Sequence, residues 1–137
     1  MLSNHKLLIV GGTGFIGSYL ANEALSRGYE VTLLSLNSKK LKQNNRDVEY
    51  LSVDITNLEK LSTVLNKKLF HHVVNLGGHI NHSSFSKDGH RVFDVHFMGM
   101  YNLVRCTNHR ELKSFIQIGS SDEYGSNTAP QNENQRE

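Results

Sequence analysis

The chain has 137 residues, of which 37% are hydrophobic and 20% are charged, and its formal net charge is +2. This length suits a single domain with one core, and the composition is that of an ordinary globular protein rather than a fibre or a disordered tail. The well-mixed charges give no basic stripe for nucleic acid, and no apolar run reaches the roughly 18 residues that suggest a membrane span. No secretory leader is visible, and the only cysteine, Cys106, has no internal partner for a disulfide. We therefore expect a cytoplasmic protein that binds neither nucleic acid nor membrane.

Apolar runs and helical patterns alternate along the chain. Strands are predicted over residues 7–10, 30–34, 48–53, 71–76 and 114–118. Helices are predicted from the first glycine loop to Arg27, over 58–67, and in a longer segment where Phe93, Phe97, Met100 and Val104 recur at helical spacing. Apolar strands separated by helices predict an α/β fold, a doubly wound parallel sheet of about five strands with helices on both faces. We expect residues 1–137 to form one domain, with a polar tail from about residue 126.

The first predicted strand leads directly into the loop 11–17, GGTGFIG, which opens the first predicted helix. Glycines there permit a tight turn, let backbone amides approach a pyrophosphate, and let the helix pack closely on its strand. The free N–H groups and partial positive charge at the helix amino terminus then hold phosphate without a cationic side chain. A glycine-rich turn that only packs is the alternative, but the flanking strand and helix favour a Rossmann-type dinucleotide site. The predicted cofactor contacts in this loop are Gly11, Gly14, Phe15, Ile16 and Gly17.

The end of the second predicted strand bears on the choice of dinucleotide. An acidic residue usually holds the adenosine ribose hydroxyls in an NAD site, yet the segment 34–40, LSLNSKK, contains no carboxylate. Ser35, Asn37 and Ser38 can donate hydrogen bonds to a 2′-phosphate, and Lys39 or Lys40 can supply positive charge. This pattern favours NADP over NAD. The lysines also suit a solvated polar loop, so NAD stays open as the alternative.

With the loop 11–17 at one end and the segment 118–125, IGSSDEYG, at the other, the chain resembles the extended short-chain dehydrogenases/reductases, in particular the NAD(P)-dependent nucleotide-sugar epimerases and dehydratases. The resemblance spans nearly the whole chain. It implies that Asp54 and Ile55 contact the adenine, and that Leu76, Gly77 and Gly78 lie beside the cofactor. From the residues themselves, the Asp54 carboxylate can accept a hydrogen bond from the adenine amine or cap the helix that follows. The two glycines can admit a ribose or form a simple turn.

The resemblance also implies the position of the catalytic groups. Ser121 matches the family's catalytic Ser or Thr, with Ser120 as a close rival. Asp122 and Glu123 stand where 4,6-dehydratases carry an acid and a base, although an exposed acidic pair in a loop needs no catalytic role. The family's base is a tyrosine followed four residues later by a lysine, and this chain contains no such pair. His96 stands where the family's helix pattern usually has asparagine.

These features predict the cofactor-binding half of an NAD(P)-dependent nucleotide-sugar epimerase, dehydratase or ketoreductase that transfers hydride at a sugar carbon. Because the tyrosine–lysine pair is missing, we expect the chain alone to be inactive, as the amino-terminal portion of a longer enzyme. The alternative is a non-catalytic dinucleotide-binding or redox-sensing module. We expect a nucleotide-sugar substrate, a homodimer and no metal site, since the eight histidines lack zinc-like spacing with cysteine or acidic partners.

Overall fold

The computed structural model describes residues 5–36, 47–80, 84–120, 124–125, 130, 132 and 134 of the chain. Within these residues the strands are β1 (Lys6–Val10), β2 (Glu30–Ser35), β3 (Val48–Ser52), β4 (His72–Asn75) and β5 (Ser114–Gln117). They form one sheet in the order β3-β2-β1-β4-β5, and every pairing is parallel. This confirms the predicted parallel sheet of five strands, and each strand end lies within one residue of its prediction.

The helices fall where the sequence predicts them. The first, α1 (Phe15–Ser26), stops just before Gly28, whose φ of +81° is a conformation that glycine adopts readily. The second, α2 (Leu58–Leu65), is capped by Asn57, whose side chain accepts a hydrogen bond from the Lys60 amide. Between β4 and β5 runs a longer helical segment. It alternates the π-helical turns Phe85–Gly89 and Asp94–Gly99 with α3 (His90–Phe93) and α4 (Met100–Cys106).

Helices cover both faces of the sheet, as predicted, because successive side chains of a buried strand point to opposite faces. On β1, Leu8 and Val10 pack in a cluster with α2 and α4, whereas Leu7 and Ile9 pack in a second cluster with α1. All four side chains are at most 5% exposed. The sheet therefore separates two hydrophobic clusters, which is the doubly wound arrangement.

The long helical segment packs on the sheet by Leu103, with Val95 and Cys106 beside it, and not by the stripe that contains Phe93 and Phe97. Phe93 and Phe97 are 49% and 55% exposed, and their rings stack with centroids 5.0 Å apart. Gly99 and Asn102 are buried instead. Glycine at 99 allows the close approach, because a Cβ there would lie 2.7 Å from the Ile55 side chain. Helical spacing thus predicted the element, but the predicted stripe is not the face that the segment buries.

The candidate site lies where the strand order reverses. β2 pairs with one edge of β1, and β4 pairs with the other edge. In open parallel sheets such a reversal opens a crevice beyond the carboxyl ends of the strands. The segments that follow β1, β2, β3 and β4 begin at this edge of the sheet.

Candidate cofactor-binding site

A cleft of about 310 Å³ opens at the carboxyl ends of the strands. It brings together eight of the predicted cofactor contacts, which are Gly11, Gly14, Ser35, Asp54, Ile55, Leu76, Gly77 and Gly78. Its wall also contains residues that the motifs did not indicate, among them Thr13, Leu36, His79 and Arg91. Six predicted site residues lie outside the described residues, namely Asn37, Ser38, Lys39, Ser121, Asp122 and Glu123.

Two glycines of the loop 11–17 make close backbone contacts that leave no space for a side chain at their own positions. Gly11 has a φ of +74°, and a Cβ there would lie 3.0 Å from the Leu76 carbonyl and from the Gly77 amide nitrogen. A Cβ on Gly17 would lie 2.6 Å from the Gly11 carbonyl oxygen. The turn closes through a 3.0 Å hydrogen bond that the Gly14 amide donates to that same oxygen. Left-handed backbone and close packing therefore both require glycine in this loop.

The amino end of α1 lies at Gly14 on the wall of the cleft, and the described part of the chain offers no backbone partner to its first amides. The first backbone hydrogen bond of the helix is donated by the Ser18 amide to the Gly14 carbonyl, 3.0 Å away. The amides of Phe15, Ile16 and Gly17 therefore donate no hydrogen bond within the helix. Among the residues that the structure describes, no side chain caps this end, and its first turn carries no acidic residue. Such an end binds anions. The side chains of Phe15 and Ile16 are 80% and 59% exposed and lie outside the cleft wall, so their predicted contacts would come from the backbone.

A pair of hydroxyl groups ties the end of β2 to the glycine loop. Ser35 Oγ and Thr13 Oγ1 lie 3.0 Å apart, and both residues line the cleft. The sequence motif did not single out Thr13, although a hydroxyl within a glycine loop is a recognisable signal. The two hydroxyls add donors and acceptors beside the free amides of α1.

Asp54 shapes the turn that leads into α2. Its Oδ1 atom accepts hydrogen bonds from the Thr56 amide, 2.9 Å away, and from the Thr56 hydroxyl, 2.8 Å away. The helix cap itself is Asn57, so Asp54 does not play the capping role considered for it. Within the described residues, Oδ2 of Asp54 has no hydrogen-bond partner, and the residue lines the cleft. This oxygen can therefore accept a hydrogen bond from a ligand.

The glycine loop, the parallel sheet and the cleft agree with a comparison to known protein families. The NAD dependent epimerase/dehydratase family has a sequence model that matches residues 7–137. The chain belongs to this family. That membership confirms the resemblance drawn from the two end motifs.

Individual relatives of this family member share about a quarter of its residues. It is 28% identical over 134 residues to Protein CapI of Staphylococcus aureus, covering 90% of this chain and 40% of that protein. It is 26% identical over 128 residues to a UDP-glucose 4-epimerase of Klebsiella pneumoniae, covering 88% of this chain and 92% of that protein. The solved UDP-glucose 4-epimerase of Thermus thermophilus in complex with NAD is similar at a TM-score of 0.63 and 26% identity, over 74% of this chain and 33% of that one. The chain thus spans 40% of CapI and 33% of the Thermus enzyme.

A buried asparagine in this epimerase/dehydratase family member holds the turn that follows Asp54. Asn102 is 4% exposed, and its Nδ2 donates to the carbonyl oxygens of Ile55, 3.0 Å away, and Thr56, 3.2 Å away. Buried polar groups are normally hydrogen-bonded, and a polar residue among the apolar positions of a predicted helix is the signal for such an anchor. The helix α4 therefore positions one wall of the cleft.

Arg91 brings positive charge to the cleft from α3. It lines the wall, is exposed, and forms no ion pair or hydrogen bond with another described residue. A guanidinium in this position can pair with a phosphate oxygen. The helical spacing alone does not indicate that Arg91 lines a cleft.

Other functional groups are sparse in the described part of the chain. No His, Cys, Asp or Glu cluster of three or more is placed there to hold a metal ion. No helix among those residues has the length and apolar character to cross a membrane. Burial raises the pKa of the Cys106 thiol, and the Arg105 charge opposes that shift only partly, so the thiol is not an activated nucleophile.

Proposed function

We propose that this chain is the cofactor-binding part of an NAD(P)-dependent nucleotide-sugar epimerase, dehydratase or ketoreductase, and that residues 1–137 form one such domain. The observation that carries the proposal is the presence of Gly11, Gly14 at the free end of α1, and Asp54 on one cleft. The free amides would hold a pyrophosphate, and Asp54 Oδ2 would accept the adenine amine. A bound nicotinamide would supply hydride transfer at a sugar carbon. The names of the Klebsiella and Thermus relatives support a UDP-sugar as substrate.

The proposed cofactor is NADP, with NAD as the alternative. Support comes from the Ser35 hydroxyl at the end of β2 and the Thr13 hydroxyl of the glycine loop, from the Arg91 cation, and from the lack of a carboxylate in the segment 34–40. The proposed further donors to the 2′-phosphate are Asn37, Ser38 and Lys39. The Thermus relative was solved with NAD, which supports the alternative.

Ser121, Asp122 and Glu123 are the proposed catalytic residues. The Ile118 amide donates a 3.1 Å hydrogen bond to the Asn75 carbonyl at the end of β4. The chain therefore leaves β5 beside the carboxyl end of β4, on the side of the sheet where the cleft opens. In the proposed reaction Ser121, or its neighbour Ser120, donates a hydrogen bond to the substrate oxygen. The two carboxyl groups would move protons if the reaction eliminates water.

A second candidate function is a non-catalytic dinucleotide-binding or redox-sensing module. The sequence favours it at one point, because none of its tyrosines is followed four residues later by a lysine. A phenolate base assisted by a lysine is the group that would take the sugar hydroxyl proton. We therefore propose that the chain alone binds a dinucleotide without oxidising a sugar.

Titration of the chain with NADP and NAD tests the proposal. We expect both to bind, with a lower dissociation constant for NADP. Failure of both to bind the folded protein would overturn the proposed function, and equal or tighter binding of NAD would overturn the choice of cofactor. Addition of UDP-glucose to the bound complex, followed by the absorbance of the reduced nicotinamide, tests whether the chain alone oxidises a sugar. Reduction would contradict an inactive chain.

A cytoplasmic location and a homodimer belong to the same proposal. Phe93, Phe97 and Tyr101 are each about half exposed on one helical segment. Exposed apolar patches often mark interfaces, and a second copy of the chain is the proposed partner. We expect a dimer in analytical ultracentrifugation that the double substitution Phe93→Ser and Phe97→Ser converts to a monomer. If the unsubstituted protein is monomeric at every concentration, the proposed homodimer is contradicted.

A further inference from the structure

The imidazole of His96 packs against the loop that follows β4. His96 lies in the π-helical turn Asp94–Gly99, and its Nε2 atom is 3.1 Å from the His79 amide nitrogen and 3.2 Å from the His79 carbonyl oxygen. A backbone N–H can only donate, so Nε2 accepts from the His79 amide in the tautomer that leaves Nε2 unprotonated, and it donates to the His79 carbonyl oxygen in the other tautomer. The ring therefore holds the backbone at residue 79.

The same ring lies directly over Gly78. A Cβ at Gly78 would be 2.9 Å from His96 Cε1 and 3.4 Å from His96 Nε2. Carbon atoms in favourable contact are about 3.5–4.0 Å apart, so a methyl group at 78 would push the ring away. A displaced ring would lose the His79 amide. Glycine at 78 and histidine at 96 thus depend on each other.

On its opposite side, this loop touches the glycine loop. The backbone of Gly11 is so close that a Cβ there would lie 3.0 Å from the Gly77 amide nitrogen, and that amide donates a 3.0 Å hydrogen bond to Asn75 Oδ1. Gly77, Gly78 and His79 all line the cleft. The loop 77–79 is therefore held between Gly11 and His96, and a shift at Gly78 would move the cleft wall.

His96 shares its helical segment with the groups that hold the opposite wall. Gly99 and Asn102 follow it three and six residues later and are buried, whereas His96 is exposed. Gly99 lets the helix approach Ile55, and Asn102 donates to the Ile55 carbonyl. One helical segment thus sets the position of both walls.

We infer that His96 and Gly78 form a coupled positioning pair that sets the backbone of residues 77–79 for cofactor binding. The effect on binding rests on the proposed function, whereas the contact itself exists without cofactor. Asparagine at 96 has a shorter side chain, so it gives up the contact with the His79 amide and frees space for a methyl group at 78. Exchange of either residue alone disturbs the loop, and exchange of both relieves the clash.

A double-mutant cycle with Gly78→Ala, His96→Asn and the combined variant tests the pair. We expect each single substitution to raise the dissociation constant for NADP about tenfold, and the combined variant to bind no more weakly than His96→Asn alone, because the clash is gone while the His79 contact stays lost. The matched control is His90→Asn, an exposed histidine of α3 that lies outside the cleft wall, and we expect it to bind like the parent. Losses that add in the combined variant, or unchanged binding by Gly78→Ala, would overturn the pair.

A measurement on the cofactor-free protein separates this inference from the proposed function. We expect hydrogen exchange of the His79 amide to be slow in the parent and in His90→Asn, and faster in Gly78→Ala. If these results hold while no dinucleotide binds, the proposed function fails and the contact stands. If the His79 amide exchanges equally fast in the parent and in Gly78→Ala, the pair is overturned whatever the cofactor does.

Discussion

The two ends of the parallel sheet treat their polar groups in opposite ways. At the carboxyl end, the amides that begin α1 and one oxygen of Asp54 remain open around the cleft. At the amino end, the side chains of His5, His72, Lys113 and Ser114 bond to one another. The proposed ligand recognition therefore uses largely backbone at one end, while side chains hold the strand starts together at the other.

A directed chain of hydrogen bonds links the starts of β1, β4 and β5. Lys113 Nζ lies 3.3 Å from His5 Nε2, His5 Nδ1 lies 3.2 Å from His72 Nε2, and His72 Nδ1 lies 2.8 Å from Ser114 Oγ. An ammonium group only donates, so His5 accepts at Nε2 and donates from Nδ1, and His72 donates to Ser114. Both imidazoles are neutral in this arrangement. Ser114 is then a hydrogen-bond acceptor rather than an activated nucleophile.

Aromatic and charged groups surround this chain of hydrogen bonds. His71 stacks on His5 with ring centroids 5.2 Å apart, and its Nδ1 accepts a 2.8 Å hydrogen bond from the Lys6 amide. Tyr29 meets His5 edge to face, and the Lys6 ammonium lies 3.7 Å from the Glu30 carboxylate. The amino end is therefore closed by contacts within the protein.

The largest expected effect is at Gly11, which can be compared with Gly28. Both have a positive φ, +74° and +81°, but a Cβ at Gly28 would meet no atom within 4 Å. We expect Gly11→Ala to lower the free energy of unfolding by about 2–4 kcal/mol and to abolish measurable dinucleotide binding, because strain adds to backbone clashes. Gly28→Ala should cost about 1 kcal/mol and leave binding intact. Denaturant unfolding and cofactor titration measure both, and equal effects would show that the backbone contacts of Gly11 do not matter.

An intermediate effect is expected at Asn102, which anchors the cleft from the buried side. Asn102→Leu keeps the approximate size but removes the donor to the Ile55 and Thr56 carbonyls. We expect a loss of about 2 kcal/mol in the free energy of unfolding and weaker dinucleotide binding, because two carbonyls lose their partner. Asn66→Leu, at an exposed position at the end of α2, is the control and should change stability by about 0.5 kcal/mol at most. Unchanged cofactor affinity in Asn102→Leu would disconnect this anchor from the cleft.

The smallest expected effect is on the pH dependence of stability at the amino end. Burial lowers the pKa of His72, and the charges of His5, Lys113 and His71 lower that pKa further. Burial also lowers the pKa of His5, with smaller contributions from Lys113 and His71. The unfolded chain then binds more protons than the folded chain below the ordinary imidazole pKa of about 6.5. The stabilisation is fully present above about pH 6.5 and is lost as the pH falls through the lower folded values.

Thermal unfolding of the parent and of His72→Gln measures this dependence. We expect the parent to lose about 2–4 °C more than the variant between about pH 7.5 and pH 5.5. His90→Gln is the control and should follow the parent. Dinucleotide binding by His72→Gln should be unchanged at neutral pH, because the substitution lies at the closed end of the sheet. An equally steep decline in His72→Gln would contradict neutral imidazoles at this end.

Several features of the molecule followed from the sequence by itself. Strand and helix periodicity predicted the five strands and the helices between them, and glycine spacing predicted the loop 11–17. These are local properties, since side-chain alternation and the φ preference of glycine depend on neighbours in the chain. The resemblance to a known family added Asp54 and the residues after β4, which the structure brings to the same cleft.

Tertiary structure alone decided which distant groups meet. His5 and His72 are 67 residues apart, Lys113 and His5 are 108 apart, and Asn102 is 47 from Ile55. The sequence shows that Phe93 and Phe97 are apolar, yet the long helical segment buries Gly99 and Asn102. The segment has two apolar stripes, and the one that packs carries the fully buried Leu103 beside Gly99, whose missing Cβ lets the helix approach Ile55.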